Sequence, residues 1–223
     1  MPVTNPPTAG RRTMRAIPAF AALLVLAGCG TYHQRADSTA LNGEATPAAW
    51  TGSITIASSP AGAACTVTRD GAQVAQITAP APVTLARGNT PAEVRCTAPG
   101  HLATTTALRP LRDFAVKLNQ ATGPVGAQLH AEDVRTGRVR RFFDVTVTLP
   151  PATFATAAER DTWFAARAEA IRAAWAVQIG RAERSQDAMI DSAATLRGYM
   201  DADLATLEQQ KAATTIARPA RRR

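Results

Sequence analysis

The sequence predicts an α+β fold: a small β-sandwich, an added β-hairpin, and then one long helix or an α-hairpin. Three observations predict it. Between Gly52 and Leu111, short runs of alternating apolar and polar residues are punctuated by turn signals. Between Val125 and Leu149 the alternation returns in two longer runs. From Thr156 onward, apolar residues recur at three- and four-residue steps behind a capping box, Thr156-Ala157-Ala158-Glu159.

Residues 1–28 read as a signal peptide. Arg11, Arg12 and Arg15 are followed by the apolar run AIPAFAALLVLAG and then Cys29, the order basic, apolar, small. The run from Ala16 to Gly28 contains Pro18 and is shorter than the roughly 20 apolar residues that span a bilayer. Leu26-Ala27-Gly28-Cys29 resembles the lipobox of bacterial lipoproteins, which implies cleavage before Cys29 and lipid on its thiol. Several acyl chains anchor stably, at about 0.8 kcal/mol per buried CH₂. In such lipoproteins an Asp after the lipidated Cys favours the inner membrane, whereas Gly30 here implies the outer one. Arg11-Arg12 also invites a twin-arginine reading, but Thr13-Met14-Arg15 lacks the rest of that pattern, and a start at Met14 leaves a workable signal.

Residues 29–50 carry neither helical nor strand periodicity and read as a flexible lipidated tether, spanning about 25 Å on average. Residues 51–112 form the β module. Ile54 and Ile56 alternate with Ser53 and Thr55, Cys65-Thr66-Val67-Thr68 resumes after a break at Ser59 to Gly62, and Asp70-Gly71 signals a hairpin. Val74, Ile77, Val83 and Leu85 mark further short strands, and Val94 and Cys96 alternate with Glu93, Arg95 and Thr97. Period-two geometry puts Cys65 with Val67 and Cys96 with Val94 on apolar faces. Lipid on Cys29 removes one of three cysteines and leaves Cys65 and Cys96 as disulfide candidates in an oxidising envelope. Two independent buried thiols are the alternative.

The order ITIASSPAGAACTV, RDG, TAPAPVTL, VRCTAPGHL resembles the PEGA domain, a small β-sandwich, over about 60 residues from Gly52 to Leu111. The sequence departs from that family's pattern at Thr78-Ala79-Pro80 and at His101, where Tyr is commoner. Cysteine-bearing versions of this module occur in bacterial lipoproteins.

Residues 113–151 read as an added hairpin, with Val125, Ala127, Leu129 and Ala131 on one strand and Val139 to Leu149 on the next, stopped by Pro150-Pro151. Residues 152–213 are helical. Phe164, Ala168, Ile171, Trp175 and Ile179 continue into Met189, Leu196, Met200, Leu204 and Leu207. One straight helix carrying that stripe outruns a module about 25 to 30 Å across, so either it folds back near Ser185 or the region 157–212 is open to a protein partner or to self-association. Residues 214–223, ending Arg221-Arg222-Arg223, read as a disordered basic tail.

The net charge of +8 includes the three leader arginines, leaving about +5 on the exported chain, which suits anionic envelope surfaces; no nucleic-acid partner is expected. His33, His101 and His130 share no metal-ligand spacing, and neither a phosphate loop nor a nucleophile elbow is present, so no metal or cofactor is expected. Glu132 and Asp133 are strand neighbours pointing apart and read as turn and surface residues. The expectation is a non-enzymatic, membrane-anchored envelope lipoprotein with a structural or protein-contact role. Two alternatives stand: a glycan- or peptidoglycan-binding module, against which exposed aromatics are scarce, and an enzyme of unrecognised type, which a deep pocket lined by Asp133 and His130 would favour.

Overall fold

A computed structural model describes residues 33–185, 187 and 190–218. The leader, Cys29 and Met189 lie outside the described residues. The chain folds as an α+β structure in which two small sheets share a core and a helix pair lies alongside.

The first sheet has four antiparallel strands in the order β4-β3-β6-β7: β3 is Ala64–Arg69, β4 Ala72–Thr78, β6 Ala92–Thr97 and β7 Thr104–Leu108. Asp70 and Gly71 both take positive φ, 52° and 77°, as a two-residue turn between β3 and β4 requires. The second sheet has the order β11-β2-β5, with β2 at Ser53–Ser59, β5 at Ala81–Thr84 and β11 at Val145–Thr148. Ile54, Ile56 and Val83 from one sheet and Val67, Val94 and Leu108 from the other bury into a single core with Phe142, Val147 and Leu149. Cys65 and Cys96 face each other in register across β3 and β6 and form a disulfide, closing a sequence separation of 31.

Four expectations are corrected. Residues 33–50 are not a free tether. Gln34–Arg35 (β1) pairs antiparallel with Leu118–Asn119 (β9), and Ser38–Leu41 forms a short helix, α1, that buries Ala40 and Leu41 against Phe114. Asp37 caps it by accepting the Ala40 N–H, and Asn42 ends it in the left-handed region at φ 48°. This is a start and stop signal that the absence of apolar periodicity hid.

The second correction is that the run Val125 to Glu132 is not a strand. Gly123–Thr136 is a helix, α2, with Pro124 in its first turn and Gly137 at φ 69° as its stop. The buried positions are Gly126, His130 and Asp133, spaced four and three apart, so the helical period is written in small and polar residues while the apolar ones alternate by accident. Gly126 is needed because a Cβ there meets the Gln120 carbonyl oxygen at 2.4 Å.

No 113–151 hairpin forms. Leu111–Arg112 (β8) pairs with Arg140–Arg141 (β10), and β11 instead joins β2 in parallel, Val145 opposite Ile56. The fourth correction concerns the tail: Thr215–Ile216 (β13) pairs in parallel with Thr153–Phe154 (β12), so residues 214–217 belong to the fold.

The carboxy-terminal stripe folds back on itself. Helix α3 runs Ala157–Arg184 and α4 runs Ala193–Ala213. Thr156 Oγ1 accepts the Glu159 N–H at 3.1 Å while Glu159 accepts that of Ala155, and Ser192 caps α4 through Thr195 N–H at 3.0 Å. Leu196 and Leu207 are buried, and Phe154, Phe164 and Leu207 form a small cluster edged by Trp163 and Ile171. Among the described residues no helix is long and apolar enough to cross a membrane.

Candidate functional site

Between the sandwich and the helix pair runs a seam of charge. Buried ions need partners, because an isolated one costs several kcal/mol to desolvate. The seam supplies them. Arg112 on β8 pairs with Asp37 at 2.8 Å, both nearly inaccessible, and also donates to Ser185, whose hydroxyl donates to Asp37 at 2.8 Å. The Arg112 amide and the Arg140 guanidinium both donate to Asp191, at 2.8 and 2.6 Å. Asp113, fully buried, takes Arg87 at 2.6 Å, with Arg141 at 3.8 Å. Burial holds the Arg112 guanidinium below its usual pKa, with Asp37 and Asp187 offsetting only part of that. Burial likewise pushes Asp191 up despite Arg140 and the Arg112 amide.

One end of the seam opens into a cavity of about 320 Å³ lined by Arg35, Asp37, Arg112, Asn119, His130 and Asp187. His130, read as a solvated strand residue, is instead buried on the inner face of α2, and so is Asp133. The His130 Nδ1 lies 3.0 Å from the Asn119 carbonyl oxygen, and Nε2 lies 3.1 Å from Asp187. Both ring nitrogens therefore lie within hydrogen-bond reach of protein oxygens. Asp133 accepts from Asn119 at 2.7 Å and from Arg138 at 2.6 Å. Burial raises its pKa, but Arg138 and Asn119 outweigh this and hold the carboxyl below its ordinary value. Glu132 points to solvent and pairs with Arg135, so the two neighbouring carboxylates do not share a site.

A second, larger cleft, about 430 Å³, separates the sandwich from α3. One wall is formed by Thr106–Arg109 and by Phe142–Thr146; the other is a single helical face running from Arg167 to Gln178 with Ala170 and Ala174 at its middle. At its floor the Arg109 guanidinium lies over the rings of Tyr199 and Trp175, centroids 4.8 and 5.8 Å away. Asp203 fixes that arrangement, accepting from Arg109 at 2.8 Å and from Trp175 Nε1 at 2.9 Å. Arg167 begins the helical wall. Burial lowers its pKa and Asp203 offsets this only in part.

The other residues expected to matter are scattered. His33 is exposed next to β1, and His101 sits in an isolated bridge to Pro151. Trp50 packs on the core, with the Arg87 guanidinium 4.9 Å from its ring centre, and so offers no open platform for a sugar. Met200 and Leu204 are half-buried. Among the described residues no group of three or more His, Cys, Asp or Glu is placed to hold a metal ion. No protein family, curated protein or solved structure matches the chain.

Proposed function

We propose that this chain is a non-enzymatic lipoprotein of the bacterial cell envelope, anchored through lipid on Cys29, whose PEGA-like β-sandwich and helical layer serve contact with another protein. The observation that carries it is the cysteine arithmetic. Cys65 and Cys96 close on each other within the core, which suits an oxidising compartment and leaves Cys29, behind a leader-like segment and at a lipobox-like tetrapeptide, as the third cysteine of the sequence. Two facing sheets with a shared core are compatible with the PEGA-like reading. The absence of Asp after Cys29 favours the outer membrane.

Intact-mass analysis of protein taken from its native envelope tests this. The expected species begins at Cys29 and carries added acyl mass, and Cys29→Ala accumulates uncut precursor. A chain that begins elsewhere with an unmodified Cys29 refutes the anchoring.

A further inference from the structure

We propose that the larger cleft binds an extended peptide by strand addition to β7, with the peptide's C-terminal carboxylate held by Arg167.

The cleft's walls identify the occupant. In a strand, successive side chains point to opposite faces, so a surface lined by consecutive residues is the strand's hydrogen-bonding edge and not a face. Thr106 to Arg109 all line the cleft, and β7 is the outermost strand of its sheet, paired only with β6. No strand pairs with the outer N–H and C=O groups of that edge, and β11 lies close beside it. An added strand satisfies those groups, whereas an acyl chain or sugar of similar bulk leaves them to water. β7 suits the addition better than β11, because it is a residue longer and belongs to an entirely antiparallel sheet.

The helix opposite leaves the room. Ala170 and Ala174 occupy the middle of its facing surface, where larger side chains would close the gap, and Ile171 and Trp175 supply apolar and aromatic contact for alternate peptide side chains. The lengths agree as well. From Arg167 to Gln178 the helix advances about 16 Å at 1.5 Å per residue, and the four residues Thr106 to Arg109 that line the opposite wall extend about 14 Å.

Arg167 supplies direction. Among the described residues it makes no hydrogen bond or ion pair, and both oxygens of the nearest carboxylate, Asp203, are already engaged by Arg109 and Trp175. A part-buried guanidinium with five donors and no acceptor, placed at one end of a strand-length cleft, matches a terminal carboxylate, which accepts two parallel N–H bonds. The proposal names the partner class for the protein-contact role above but stands on the cleft alone. Loss of lipid at Cys29 leaves peptide binding intact, so the two can fail separately.

The test presents the full chain, in nanodiscs of zwitterionic lipid, with a random heptapeptide library displayed with free C-termini. Selection is expected to converge on sequences with apolar residues at alternate positions. Selected peptides remade as C-terminal amides should bind at least tenfold more weakly. Arg167→Gln should reduce the free acid to the amide's affinity and leave the amide unchanged, and N-methylation at alternate peptide nitrogens should abolish binding. Ala174→Trp should block both forms, with near-ultraviolet circular dichroism showing each variant folded. Failure to converge, equal binding of acid and amide, indifference to Arg167→Gln or tolerance of N-methylation each overturns the proposal. So does saturable octanoate binding that depends on Arg167 with no peptide enriched.

Discussion

The sandwich and the seam beside it solve the same problem with opposite materials. The sandwich buries one continuous apolar core, with Ile56, Val67, Val94 and Phe142 at its centre and a disulfide between two neighbouring strands. The seam has only small apolar clusters, such as Leu118 with Val139 and Ile190, and is joined by Arg112, Arg140, Arg87 and their carboxylates. Apolar burial is non-directional and tolerates substitution of similar volume, while a buried ion pair is unforgiving of losing one member. The contrast teaches that the two regions should fail differently: the first gradually with volume, the second sharply with charge.

The sharpest break is expected at Arg112→Ala, which strands Asp37 and deprives Ser185 of a donor. The cost is about 3–5 kcal/mol, read as a shift in the urea midpoint, and the double variant Asp37→Leu with Arg112→Met should recover much of it. Next comes the sandwich's own staple. Replacing Cys65 and Cys96 together by Ala should cost roughly 2–4 kcal/mol while leaving the strand circular dichroism signal in place.

A smaller effect probes the junction of the two regions. Gly137 takes φ 69°, and a Cβ there meets the Gly88 backbone at 2.5 Å, so Gly137→Ala should cost at least about 1–2 kcal/mol in thermal unfolding, the left-handed conformation alone accounting for that much. Acid sharpens the comparison further. The Asp133 carboxyl sits below its ordinary value, so its contribution is present above the unfolded-state pKa of about 3.9 and is lost as pH falls through the folded one. The midpoint difference between the wild type and Asp133→Asn should therefore shrink toward zero on acidification and be constant at neutral pH. Its neighbour supplies the smallest effect: Glu132→Ala, which breaks a solvent-exposed pair with Arg135, should leave the midpoint unmoved.

How far each region was legible follows from what holds it together. Alternation at Ile54, Ile56, Val67 and Val94 records burial directly, and so the strands, the Asp70-Gly71 turn and the cysteine pairing could be read from the residues. The capping box at Thr156 was legible for the same reason, being local, whereas the apolar stripe behind it left a straight helix and a fold-back near Ser185 both open until the α3–α4 packing decided it. The seam was not legible. Asp37 is 75 residues from Arg112 in the chain, and Arg112 is 79 from Asp191, and charge complementarity at such separations leaves no periodic trace. Helix α2 was misread because its inward face is Gly126, His130 and Asp133; its start and stop signals, Pro124 and Gly137, were present and outvoted by a chance alternation. Arg167 looked like one more solvated helix cation. Only the engagement of Asp203 elsewhere marks it out.

The pairing of β1 with β9 sets the length of the leash. The Gln120 N–H donates to the His33 carbonyl at 2.8 Å, and Gln34 sits opposite Asn119, so the chain is tied into the fold from His33 onward. Between Cys29 and His33 stand only Gly30, Thr31 and Tyr32. Four Cα steps, fully drawn out, reach about 14 Å. On the proposed attachment at Cys29, the body rides directly against the lipid headgroups with its β9 end downward. It cannot swing across the periplasm, and the neighbours it can meet are those that share or touch the plane of the bilayer.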